Sequence, residues 1–166
     1  AGWSLFVVYE DPTLPGKSIT SFDGFSTIRL SGNNNNLNVP VSGFTSVPAP
    51  SPVRASFAFA TLEGDKPIAG DRLKLNGATL STIDRPANNF FNSSVTQIST
   101  LPVNNRNPNS TNTLGFDTGV LNIPNPGNTV IANDATSANL KFNTSGDTYF
   151  QYFLAFAIDI IEPNII

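Results

Sequence analysis

The side chains able to do chemistry here are carboxylates and hydroxyls, because the 166-residue chain contains neither cysteine nor histidine. No thiolate nucleophile, soft-metal ligand or imidazole base can form. The acidic residues cluster once: Glu63, Asp65 and Asp71 fall in one loop just before a hairpin signal. Several oxygens in one loop suit a hard cation, which makes calcium the candidate cofactor. Their spacing is not that of an EF-hand, so a solvated turn capped by its own side chains is the competing reading. Glu10, Asp11 and Asp147 offer a second, sparser acidic set. Glycoside hydrolysis would need two carboxylates at a set separation, one of raised pKa, and no such pair is marked. Asp117 and Asp159 lie within apolar runs and are expected to be partly buried as hydrogen-bonded structural groups. Serine is plentiful, but neither a Ser-x-x-Lys nor a Gly-x-Ser-x-Gly pattern occurs to activate one. The expectation is a domain without catalytic residues.

Other residue types point to binding or modification. Trp3, Tyr9, Tyr149 and Tyr152 could stack on a sugar, yet all four fall inside strand-like runs, where core packing is the stronger expectation. Asn92, Asn109 and Asn143 each begin an N-glycosylation sequon, in a chain so rich in Asn, Ser and Thr that chance matches are expected. A Lys–Asn cross-link is conceivable at Lys17, Lys74 or Lys141, and no spacing selects among them.

These residues must be positioned by β-structure. Charged residues make up 13% of the chain, against about 25% in an ordinary soluble domain, with Asn, Ser, Thr, Gly and Pro taking the polar positions. That balance suits a secreted, extracellular β-protein. The net charge of −3 leaves no basic stripe for a phosphate backbone, so no nucleic-acid partner is expected. No run reaches the ~18 apolar residues of a spanning helix. Methionine is absent and the chain opens at Ala1, which suggests a processed product.

Strand signals recur along the chain with Gly, Pro and Asn turns between them. Residues 3–9 are aromatic and β-branched and stop at Pro12; residues 17–30 read as two short strands or one bulged strand around Asp23-Gly24. Residues 37–44 contain Pro40 and read as an edge strand. In residues 53–62, Val53, Ala55, Phe57 and Phe59 share one face, and Arg54, Ser56, Ala58 and Ala60 the other. Asn76-Gly77 between Leu73-Lys74-Leu75 and Ala78-Thr79-Leu80 is a strong hairpin signal, since both turn positions tolerate positive φ. Residues 88–98, 114–123, 138–143 and 148–161 complete the set, and no helix is expected. The predicted fold is all-β over residues 1–166 as a single domain: a two-sheet antiparallel, jelly-roll-like sandwich of about nine to eleven strands.

The outermost strands are apolar on both faces. In residues 149–161, Phe150, Tyr152, Leu154, Phe156, Ile158 and Ile160 form one face, while Phe153, Ala155, Ala157 and Ile161 sit opposite. Residues 3–9 behave alike, with Phe6 and Val8 opposite Trp3, Leu5 and Val7. A sandwich strand has only one face against the other sheet, so the second must meet a loop, a short helix or another subunit. Trp3, Leu5, Phe6, Val8, Phe153, Ile161, Ile165 and Ile166 are therefore the expected assembly interface.

The opening Gly2-Trp3-Ser4-Leu5-Phe6-Val7-Val8-Tyr9-Glu10-Asp11-Pro12, followed by Phe22-Asp23-Gly24-Phe25, resembles that of an uncharacterised domain of large prokaryotic surface proteins. Leu62-Glu63-Gly64-Asp65, Asn88 to Ser94, Leu114-Gly115-Phe116-Asp117 and Ser145 to Tyr149 extend the resemblance over nearly the whole chain. It implies an extracellular β-domain and no particular chemistry. Members of that family usually carry further strand-forming sequence before this opening; its absence here would leave a groove that a neighbour's strand could fill. The expected function is a structural subunit of a filament, tube or surface layer, self-associating through apolar edge strands, with donor-strand complementation as one route. The alternative is an adhesin-type module recognising a glycan or surface, with calcium as its cofactor.

Overall fold

The computed structural model describes residues 2–98, 103 and 105–161. Nine strands run through them: β1 (Lys17–Ile28), β2 (Asn36–Ser42), β3 (Ala55–Gly64), β4 (Arg72–Leu75), β5 (Ala78–Thr79), β6 (Val95–Thr96), β7 (Gly115–Asn122), β8 (Ser137–Asn143) and β9 (Tyr149–Asp159). A 3₁₀ turn lies at Pro126–Asn128, between β7 and β8.

One sheet has the order β1-β9-β3-β7-β6 and the other β2-β8-β4-β5. Taken position by position, β1 matches β2, β9 matches β8, β3 matches β4 and β7 matches β5. Pairing of sequence neighbours across two sheets in this way is the jelly-roll arrangement, with β6 added alongside β7. All ladders are antiparallel except the two-residue β6–β7 pairing.

The alternation read in β3 holds: Ala55, Phe57 and Phe59 point into the core with Leu73, Leu75, Leu140, Phe142, Leu154, Phe156 and Ile158. Asn76 (φ 48°) and Gly77 (φ 87°) form the expected hairpin turn between β4 and β5. β1 is one strand with a bulge between Asp23 and Ser26, and β2 is an edge strand containing Pro40.

Three strand expectations are corrected. Residues 3–9 form no strand and pair with none among the described residues. Of residues 88–98 only Val95–Thr96 is strand. The rest of that stretch forms turns that turn Phe90 and Phe91 inward, where they stack among Phe59, Phe142 and Tyr149. In β9 the predicted even-numbered face breaks at Tyr152. Relative to β3 this residue is an extra one, since Ala60 pairs with Phe153 and Thr61 with Gln151. Tyr149 and Gln151 therefore face inward before the bulge, and Leu154, Phe156 and Ile158 after it.

Candidate functional site

Two regions concentrate the unusual chemistry: the outer face of the five-stranded sheet with residues 2–9 laid across it, and a buried polar node at one end of the sandwich.

The outer face is built from small residues. Register places Ser56, Ala58 and Ala60 of β3 beside Ala157, Ala155 and Phe153 of β9. Small side chains leave a shallow trough in which an extended chain can lie close. Phe6 stacks on Phe153 with ring centroids 3.5 Å apart, and the Ser4 and Tyr152 hydroxyls share a hydrogen bond of 2.7 Å. Gly2 sits so near Phe116 that a Cβ there would fall 2.3 Å from the ring. Ala60 is fully buried, although it faces outward from the sandwich.

These contacts hold the segment by one side only. Trp3 is 85% exposed, Leu5 78%, Val7 69%, Val8 73% and Tyr9 77%. Among the described residues, no backbone–backbone hydrogen bond involves residues 2–10; the first belongs to the Asp11–Leu14 turn. An apolar, β-prone segment thus presents both its side chains and its peptide groups to solvent. The expectation that Trp3 and Tyr9 pack in a core is corrected, whereas Tyr149 does so fully and Tyr152 is half-buried. Of the expected interface, Phe153 is half-buried beneath Phe6 and Ile161 is exposed; Ile165 and Ile166 lie outside the described residues.

The node centres on Arg85, which the sequence reading did not single out. Its five N–H donors all find acceptors. Nε donates to Thr96 Oγ1, Nη1 to Phe90 O and Asp117 Oδ1, and Nη2 to Ser94 O and Thr118 O. The Phe59 ring lies 4.8 Å below the guanidinium carbon. Asp117 also accepts from the Ser93 and Ser94 amides, so both its oxygens are occupied. Asp71, at 0% exposure, accepts from the Phe91 amide through Oδ1, and its Oδ2 has no partner. Asp147 accepts from the Asp65 and Thr148 amides. Burial pushes Asp71 and Asp147 each up to about 6, and their mutual repulsion adds to the rise at Asp71.

The three proposed calcium ligands occupy different settings. Glu63 is exposed at a positive-φ position, Asp65 is half-buried and contributes its amide to Asp147, and Asp71 is inside the protein. Among the described residues no group of three or more His, Cys, Asp or Glu side chains is placed to hold a metal ion. The loop is solvated at Glu63 and over residues 66–69, as the competing reading has it, while Asp71 at its end is buried and anchors it to the Phe90-Phe91 turn. Of the sequons, Asn92 is buried with Nδ2 donating to Asp84 O, Asn143 is half-buried in β8, and Asn109 is exposed. Asp117 and Asp159 are both buried, as their apolar surroundings predicted; Asp159 pairs with Lys17 across the β1–β9 ladder.

No described helix is long and apolar enough to cross a membrane. Compared with known proteins, the chain matches no family model, no curated protein and no solved structure. Its geometry is the ground for a functional reading.

Proposed function

We propose that this domain is a structural subunit of an extracellular assembly, a filament, tube or surface layer, whose copies associate through residues 2–9 and the outer sheet beneath them. The observation that carries the reading is the state of that segment. It has a strand's composition, it makes no backbone–backbone hydrogen bond among the described residues, and five of its large apolar side chains stand in solvent. Apolar side chains and free peptide groups on one ribbon are what a strand-adding contact consumes. The resemblance of the same residues to a surface-protein domain supports the extracellular setting, as does the low charge of 13%.

The test compares the full chain with a variant lacking residues 2–10 by size-exclusion chromatography with light scattering and by electron microscopy. The full chain is expected to associate as concentration rises. The shortened one is expected to stay monomeric with its core intact, since none of those residues belongs to the buried core. A full chain that remains monomeric at millimolar concentration would sink the reading.

A further inference from the structure

Resting on that reading, we propose that residues 2–11 of one copy dock on the free edge of β1 in a second copy, as an added antiparallel strand with Val7 opposite Ser21. The four sheet edges of the sandwich are unequal. β5 and β6 are two residues each, too short to template a neighbour, and β2 carries Pro40, which has no N–H to give. β1 runs for twelve residues without a proline. It pairs with β9 along one side, and no described strand takes the other. The long unpaired edge and the unpaired segment each lack what the other offers, a row of peptide donors and acceptors.

Side-chain parity selects the register. In β1, Lys17, Ile19, Ser21 and Asp23 are exposed on the outer face, while Ser18, Thr20 and Phe22 are half-buried toward the sandwich. With Val7 opposite Ser21, Tyr9 meets Ile19, Leu5 meets Asp23 and Asp11 meets Lys17, all within the regular stretch of β1 before its bulge. Trp3, Leu5, Val7 and Tyr9 then extend the outer face, and Phe6 and Val8 fall beside Phe22 and Thr20 at the open rim between the sheets. A slip of one residue exchanges the two sets. No like charges meet: Lys17 comes to lie between Asp159 of its own copy and the incoming Asp11.

The chain has no cysteine, so introduced pairs report contacts cleanly. Full chain carrying Val7→Cys is mixed with full chain carrying Ser21→Cys under mild oxidation. The expected result is a disulfide-linked heterodimer that needs both cysteines, with about tenfold less product when Val8→Cys replaces Val7→Cys, since Val8 would point to the opposite face. Association by light scattering without this cross-link overturns the β1 docking and leaves the assembly reading standing. A Val7→Cys, Ser21→Cys double variant that closes only within one chain overturns docking between copies. If the chain stays monomeric as well, both readings fall together.

Discussion

Arg85 donates from Nη1 to Asp117 Oδ1 at 2.9 Å with both side chains almost wholly withdrawn from water. The pair joins the turn after β5 to β7, and three backbone carbonyls with the Thr96 hydroxyl complete the guanidinium's hydrogen bonding. A buried ion pair is weak evidence of net stabilisation, because desolvation offsets much of the attraction. Removing one partner is a different matter, since the other charge is then stranded. Arg85→Ala and Asp117→Ala are each expected to cost about 3–5 kcal/mol, read as a lower urea midpoint. A combined Arg85→Ala, Asp117→Ala variant is expected to lose less than the sum of the two single losses. Full additivity would mean the two groups act independently, contrary to their shared bond.

Acid should strengthen the fold before it weakens it. Asp71 and Asp147 are raised to about 6 in the folded protein from an unfolded value near 3.8, chiefly by burial. A raised carboxyl binds its proton more tightly when folded. The stability it contributes is fully present below the unfolded value and is lost as pH climbs through about 6. Urea unfolding at pH 4.5 is therefore expected to give a higher midpoint than at pH 7.5, by on the order of 2 kcal/mol from Asp71 and less from the better-screened Asp147. Asp71→Asn should flatten part of that slope, because the amide can still accept from the Phe91 amide but does not titrate. A midpoint that rises steadily from pH 4.5 to 7.5 would contradict the burial-driven shift.

How much could be read in advance follows from which forces were local. The β3 alternation and the Asn76-Gly77 turn are properties of adjacent residues, and both stand as predicted. The bulge at Tyr152 is fixed by the registers of β1 and β3 against β9, which no pattern within β9 reports, so its apolar residues looked like one uninterrupted face. Phe90-Phe91 looked like strand because aromatic residues favour strands, but they are buried from a loop held by Asp71 and Asp117. Arg85 carries no motif. Its role depends on carbonyls of Phe90 and Ser94 in one turn and of Thr118 in β7 converging on one guanidinium, which spacing along the chain cannot encode. Residues 3–9 have a strand's composition without a strand's partner, and a single sequence does not distinguish the two.

Gly64 and Gly24 should respond oppositely to the same change. A Cβ at Gly64 would lie 2.3 Å from the Phe91 carbonyl oxygen and 2.5 Å from Asp117 Oδ2. The first neighbour is backbone and the second accepts from the Ser93 amide on a carboxylate whose other oxygen is paired with Arg85, so neither yields cheaply. Gly64→Ala is expected to cost about 3 kcal/mol or more through overpacking of the node. At Gly24 nothing lies within 4 Å of the added methyl, and no positive φ is required there. Gly24→Ala should change the thermal midpoint little, within about 0.5 kcal/mol of the starting protein. Equal losses at both positions would show that the node is looser than its hydrogen bonds imply.

The contact between Phe6 and Phe153 is the main restraint on residues 2–9 within one chain, since the Ser4–Tyr152 hydrogen bond is the only other side-chain bond the segment makes among the described residues. Aromatic stacking of this kind contributes about 1 kcal/mol beyond area burial, small beside the 5–15 kcal/mol that holds a domain together. Phe6→Ala should therefore leave the global unfolding midpoint nearly unchanged and raise local exposure of the segment. Limited proteolysis at a protein concentration low enough to keep copies apart is expected to cut residues 2–10 several-fold faster in Phe6→Ala than in the unchanged chain, while the remainder survives intact. The reverse pattern, an unchanged nicking rate with a large drop in the global midpoint, would make Phe6 part of the cooperative core. The one-sided attachment on which strand exchange between copies depends would then be lost.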